Sequence, residues 1–244
     1  VSLIKQARKD CDIIVVSIFV NPLQFGLRED LKKYPRNIKR DISLCRKYTD
    51  ILFFPSVKTM YPNNFLTDVG VKELSDVLCG ASRPGHFRGV TTVVNKLFNI
   101  VLPDIAYFGQ KDAQQAIIIK KMVKDLNMPI KIKVMPIVRE RDGLAMSSRN
   151  VYLSSQERKD ALVLYHSLTL AKNLLNKGIT DCKKIISKMR RLILKAKAAR
   201  IDYISIVDSN TLMSLKNIKK EALILLAVFI GRTRLIDNAL VRRR

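Results

Sequence analysis

Residues 13–20 read Ile-Ile-Val-Val-Ser-Ile-Phe-Val, an apolar run with one polar interruption at Ser17. A run this short and this rich in β-branched residues predicts a strand buried on both faces. Strands are covered on both faces when helices pack on either side of a parallel sheet. Just before the run, Leu3, Ile4 and Ala7 recur at helical spacing. A helix leading into such a strand is the later part of a βαβ unit. The stretch therefore predicts a parallel α/β sheet, and it calls for a first strand and turn ahead of Val1.

The alternation continues along the chain. Residues 37–48 predict a helix, 51–54 a strand and 67–71 a further strand, and a short helical turn ends at Gly80. A helix over 88–102 is closed by Pro103, and a strand follows at 105–108. Residues 112–127 carry Ala116, Ile119, Met122, Val123 and Leu126 along one helical side, and 130–138 predict another strand. Strands separated by helices argue for a parallel sheet with right-handed crossovers. The texture changes near Val138. Ser154 and Glu157 form a capping-box pattern that opens a helix to about residue 176, with Gly178 as its stop. A helix over 181–199 and strand-like runs at 203–207, 222–230 and 234–236 complete the chain. We expect an α/β domain over 1–137 and a small α+β domain over 138–244.

With 45 Lys and Arg against 21 Asp and Glu, the formal charge is +24. That balance has two readings: a polyanionic partner, or dispersed surface lysine of the kind an AT-rich genome encodes. No basic stretch is interleaved with aromatics, so no specific nucleic-acid partner is expected. Cys11, Cys45, Cys79 and Cys182 show neither close pairing nor metal-ligand spacing. With only His86 and His166 beside them, no zinc set is complete. A reducing cytoplasm is the expected compartment. The longest apolar stretch, 222–230, falls well short of the roughly 20 residues a membrane helix needs.

Ligands of doubly wound sheets bind beyond the carboxyl ends of the strands. The first strand is followed by Asn21-Pro22-Leu23-Gln24, whose amides suit hydroxyls and carboxylates. Residues 105–108 are followed by Gly109-Gln110-Lys111-Asp112 and then Gln115. A glycine admits close backbone approach, a helix N-terminus attracts anions, Lys111 supplies a point charge and Asp112 an acceptor for a ribose hydroxyl. After 130–138 comes Met146-Ser147-Ser148-Arg149, a hydroxyl and guanidinium set suited to phosphate. Arg83 and His86 lie in a glycine-containing loop ahead of a helix. Each segment taken alone also reads as ordinary turn chemistry.

Taken in order, SIFVNPLQF, YPR, RPGHFRGV, FGQKDAQQ, DGLAMSSRN and RLIDN span nearly the whole chain. Together they resemble the pantoate–β-alanine ligase (pantothenate synthetase) family. The resemblance implies a Rossmann-like nucleotidyltransferase domain with a small C-terminal domain closing over the ATP site, as a cytoplasmic homodimer using ATP and Mg2+. It implies a pantoyl adenylate formed from pantoate and ATP, then captured by β-alanine. By motif, Gln24 and Gln115 would bracket pantoate, with Asn21, Arg83 and His86 near the substrate pocket. Gly109, Gln110, Lys111 and Asp112 would line the ATP site. Val138 would meet the adenine, and Met146, Ser147, Ser148 and Arg149 would close over the phosphates. Lys111 and Arg149 would be the catalytic cations. The family's HxGH pair belongs to the turn after its first strand, and by alignment this chain begins just after it. Two readings follow: an ordinary ligase with an incomplete record, or a remnant that binds ligands without efficient turnover.

Overall fold

The computed structural model describes residues 1–26, 29 and 31–243. Their contacts divide into two compact units, Val1–Gly109 with Ile118–Met135, and Gln110–Ile117 with Pro136–Arg244. The short Gln110–Ile117 segment thus groups with the C-terminal residues.

The first unit contains α1 (Ser2–Asp10), β1 (Val15–Ser17), α2 (Ile38–Cys45), β2 (Ile51–Phe53), α3 (Val57–Met60), α4 (Cys79–Ser82), α5 (His86–Val101), β3 (Ile105–Gly109) and β4 (Lys131–Met135). Two parallel pairs form: Val15 opposite Ile51, and Ile105 opposite Lys131. The first ladder is shorter than the apolar run at 13–20, and Ile13 is exposed. Its partner is only three residues long, because Phe54 leads directly into Pro55, which cannot donate to a ladder. Phe87, Val90, Val94 and Phe98 repeat at helical spacing along α5 and are buried. Val90, Val94 and Phe98 pack with Ile119, Met122 and Val123 into one apolar cluster. Leu126, expected on that side, is exposed.

No strand forms at residues 67–71, contrary to expectation. The backbone of Val69 is instead held by threonines of α5. Its N–H donates to Thr92 Oγ1 at 3.0 Å, and its carbonyl accepts from Thr91 Oγ1 at 2.5 Å. With both groups satisfied by a helix, the segment has no need of a neighbouring strand.

Helix α6 (Ala113–Asp125) begins in Gln110–Ile117 and is preceded by a 3₁₀ turn at Gln110–Asp112. The second unit continues with α7 (Ser155–Asp160), α8 (Leu162–Asn176), α9 (Cys182–Ile193), β5 (Ala199–Val207), β6 (Glu221–Ile230) and β7 (Thr233–Arg242). The three strands form an antiparallel sheet in that order. The central β6 is buried along nearly its whole length, which explains its unbroken apolar sequence. Cys182, Ile185, Met189 and Ile193 of α9 and Leu164, Leu168 and Ala171 of α8 join the sheet in one core.

Ser154 caps α7 as its sequence predicts: its Oγ accepts from Glu157 N–H, and Glu157 Oε2 accepts from Ser154 N–H at 2.9 Å. The helix is interrupted at Ala161 before α8 resumes. Gly178 follows α8 with φ of +82°, the left-handed conformation glycine adopts at helix ends. Helix α9 stops at Ile193 rather than reaching 199, because turns at 194–196 lead into β5.

Candidate active site

The loop after β1 is built around Asn21, which is 2% exposed. Its Oδ1 accepts from Leu23 N–H, capping the 3₁₀ turn Pro22–Gln24, and from Tyr61 Oη at 2.8 Å. Its Nδ2 donates to the Gly89 carbonyl at 2.9 Å and, at 3.3 Å, to Gln24 Oε1. Asn21 therefore organises the turn that presents Gln24. Burial pushes the Tyr61 phenol up to about 12, so it stays protonated as donor to Asn21.

Arg83, just after α4, and His86, the first residue of α5, secure the same turn. The Gln24 carbonyl accepts from His86 Nδ1 at 2.8 Å and from Arg83 Nη2 at 3.2 Å. A carbonyl only accepts, so Nδ1 carries the proton, and Nε2 accepts from Arg83 Nη1 at 3.0 Å. Arg83 also forms a two-pronged ion pair with Glu29, at 2.8 and 2.5 Å. Burial alone would raise the Glu29 carboxyl, but the hydrogen bonds and charge of Arg83 outweigh it and hold the group below 4.5. The Gln24 side-chain Nε2 has no hydrogen-bond partner among the described residues.

Gly109 ends β3 in the first unit. A Cβ added there would meet nothing within 4 Å.

In the second unit, the Gln110–Asp112 turn leads into the thirteen residues of α6, whose first-turn N–H groups and dipole favour an anion. The Lys111 ammonium has one ion contact among the described residues, 3.8 Å from Asp112, and its side chain is 21% exposed. Gln115, on the first turn of α6, is half-buried. Asn238 of β7 engages this turn from below. Its Nδ2 donates to the carbonyls of Gln110 and Lys111 at 2.9 and 3.0 Å, and its Oδ1 accepts from Gln110 Nε2 at 3.1 Å.

The other predicted ATP residues form a hairpin in the same unit. Arg139 bridges to Ala145, and Met146 N–H donates to the Val138 carbonyl at 2.9 Å. Val138 and Met146 are exposed apolar side chains brought together at its mouth, suited to the face of an aromatic ring. Ser147 accepts from Arg149 N–H and caps the 3₁₀ turn Ser148–Tyr152. The structure thus assembles Asn21, Gln24, Arg83 and His86 in one unit and brings Val138 beside Met146 in the other. The sequence left Asp237 and Asn238 without a role; their signal was the RLIDN motif itself.

Amide donors after one parallel strand, and a cation with a helix N-terminus after another, suit the class of α/β proteins that bind anionic, phosphate-bearing ligands. Comparison with known proteins makes the class specific. The family described as "Pantoate-beta-alanine ligase" matches residues 1–240, and the chain belongs to that family. Pantothenate synthetase from Caldicellulosiruptor saccharolyticus is 56% identical over 241 residues, covering 98% of this chain and 86% of the relative. The Acetivibrio thermocellus pantothenate synthetase matches at the same identity and coverage. A crystal structure of the Thermus thermophilus enzyme has a TM-score of 0.95 and 43% identity, covering 98% of this chain and 87% of that one. The Francisella tularensis ligase, crystallised with "Beta-gamma ATP and Beta-alanine", has a TM-score of 0.79 and 37% identity over 98% of this chain and 83% of its own. The protein is a ligase that forms a C–N bond between pantoate and β-alanine at the expense of ATP.

Proposed function

We propose that catalysis runs through an adenylate, with an α/β domain over 1–137 that binds ATP and pantoate and a small C-terminal domain over 138–244. Gln24 and Gln115 bracket pantoate through its hydroxyls and carboxylate. The pantoate carboxylate attacks the α-phosphorus of ATP, forming a C–O–P bond as pyrophosphate leaves. The β-alanine amine then attacks the activated carbonyl, AMP departs, and the amide remains. Charge develops on phosphoryl oxygens in the first step and on the carbonyl oxygen in the second. Positioning and cationic stabilisation are the main requirements. Lys111 supplies that charge on the phosphates and Arg149 assists it, with Gly109, Gln110, Ser147 and Ser148 lining the phosphate path. Asp112 accepts from the ribose, while Val138 and Met146 meet the adenine. Arg83 and His86 act by holding the Gln24 turn.

What carries this reading is the Lys111 ammonium: mostly buried, at the head of a helix, with one ion contact among the described residues, 3.8 Å from Asp112. Nothing in the fold or the relatives favours a ligand-binding remnant over an enzyme. Among the described residues no three of His, Cys, Asp and Glu cluster closely enough to hold a metal. Magnesium is proposed as an ion bound together with the ATP phosphates. A cytoplasmic homodimer is proposed from the family resemblance, and no described helix is long and apolar enough to cross a membrane. Lys111→Ala should lower pantoate-dependent ATP–pyrophosphate exchange by about 10²-fold or more with an unchanged circular dichroism spectrum. An unchanged exchange rate would remove Lys111 from the chemistry.

A further inference from the structure

We infer that Asp237 and Asn238 of β7 form a two-sided bracket that positions the Lys111 turn and the Arg139–Ala145 hairpin of the C-terminal unit. The inference rests on the reading that Lys111 meets phosphate.

The two residues are 2% exposed, in the middle of a ten-residue strand. Consecutive strand residues face opposite sides of a sheet. Asn238 lies opposite Leu225, and Asp237 opposite Leu226, which belongs to the helix-covered core. An asparagine amide has two N–H donors and a carbonyl acceptor. Both donors of Asn238, and its acceptor, are directed at Gln110 and Lys111. On the other face, Asp237 Oδ2 and Oδ1 accept from Arg139 Nη1 and Nη2 at 2.7 and 2.9 Å. Arg139 Nη1 also donates to the Gly143 carbonyl at 2.9 Å, and its guanidinium lies 5.0 Å from the centre of the Tyr165 ring. Asp237 Oδ1 further accepts from Asn238 N–H at 2.8 Å, coupling the two halves.

A sheet in need of stability alone would carry apolar residues at two fully covered positions. Here both are polar, and among the described residues their side-chain hydrogen bonds beyond that coupling reach either the turn bearing Lys111 or the hairpin that leads into Met146–Arg149. Neither side chain touches the reacting atoms in this scheme. They are positioning residues, acting through the backbone carbonyls beneath Lys111 and through Arg139.

Asn238→Asp keeps the size of the side chain and turns its donating group into an acceptor facing two carbonyl oxygens. In the intact protein, kcat for pantoate-dependent ATP–pyrophosphate exchange should fall about 10²-fold, the cost of a roughly 1 Å misplacement. The KM for ATP should change by only a few-fold. Asn238→Ser, which retains one donor, should fold readily and show an intermediate kcat. Asp237→Asn should lower kcat without disturbing the amide contacts of Asn238. Lys111→Ala is measured alongside. If it abolishes exchange while folded Asn238→Ser and Asp237→Asn keep native kcat and lose only Tm, the bracket is structural and the inference is overturned. If Lys111→Ala exchanges at the native rate, the underlying assignment of Lys111 falls, and the inference falls with it.

Discussion

Gly89 sits on α5 directly beneath the turn that presents Gln24, and replacing it with alanine tests how far substrate binding depends on that contact. A Cβ there would lie 2.7 Å from the Gln24 backbone nitrogen and closer still to the Leu23 carbonyl oxygen. Comfortable contact is about 3.5 Å, so the closer approach to the Leu23 oxygen sets a retreat of about 1.2 Å. Alanine favours an α-helix over glycine by about 1 kcal/mol, whereas overpacking of this kind costs about 1–3 kcal/mol. The net change in stability should lie between zero and about 2 kcal/mol, small enough to leave the protein folded. The functional effect should be larger. Retreat stretches the 2.9 Å bond from Asn21 to the Gly89 carbonyl and the bonds from His86 and Arg83 to the Gln24 carbonyl. A displacement near 1 Å costs on the order of 10²-fold in rate. Steady-state kinetics with pantoate as the varied substrate should show kcat/KM for pantoate down by about that factor, with KM for ATP nearly native. A native kcat/KM for pantoate in folded Gly89→Ala would refute the claim that this close packing sets the position of Gln24.

Other expectations concern stability. Ser154→Ala removes one half of the capping box on α7 and should cost about 1 kcal/mol, read as a shift in the urea midpoint. Ile224→Ala empties a fully buried position in β6 and should cost about 2–5 kcal/mol by the same measurement; a loss below about 1 kcal/mol would contradict its core position. The pair formed by Glu29 and Arg83 gives a pH dependence. Because the Glu29 carboxyl sits below 4.5 in the folded state, its contribution is fully present above that value and is lost as pH falls through the lower folded value. The stability gap between the native protein and Glu29→Gln should therefore be constant at neutral pH and close progressively below about 4.5. A gap that widened on acidification would reverse the sign of the argument.

The features most legible in the sequence were those set by local chemistry. The capping box at Ser154, the stop at Gly178 and the helical spacing of α5 each rest on residues within one or two turns of each other. Elements decided by distant partners were harder to read. Residues 67–71 have strand character, yet two threonine hydroxyls on α5 take the bonds a neighbouring strand would supply. The last strand was expected to stop at Ile236 and runs on to Arg242. Two successive polar residues resemble a loop unless their buried partners are known. The site showed the same division. Amide and cation types after each strand were visible in the sequence, whereas the sharing of one carbonyl of Gln24 by His86 and Arg83 depends on chain segments about sixty residues apart.

The grouping of Gln110–Ile117 with Pro136–Arg244 means that the C-terminal unit is discontinuous in the gene. A fragment encoding only 136–244 would carry the whole antiparallel sheet and its helices, but the Asn238 amide would lose its contacts to Gln110 and Lys111. Restoring 110–117 through a short linker should raise the melting temperature of such a fragment; no change would show that the segment adds nothing to its stability. Any exchange of C-terminal domains among related ligases, by recombination or by design, would have to transplant eight residues from the middle of the partner sequence as well.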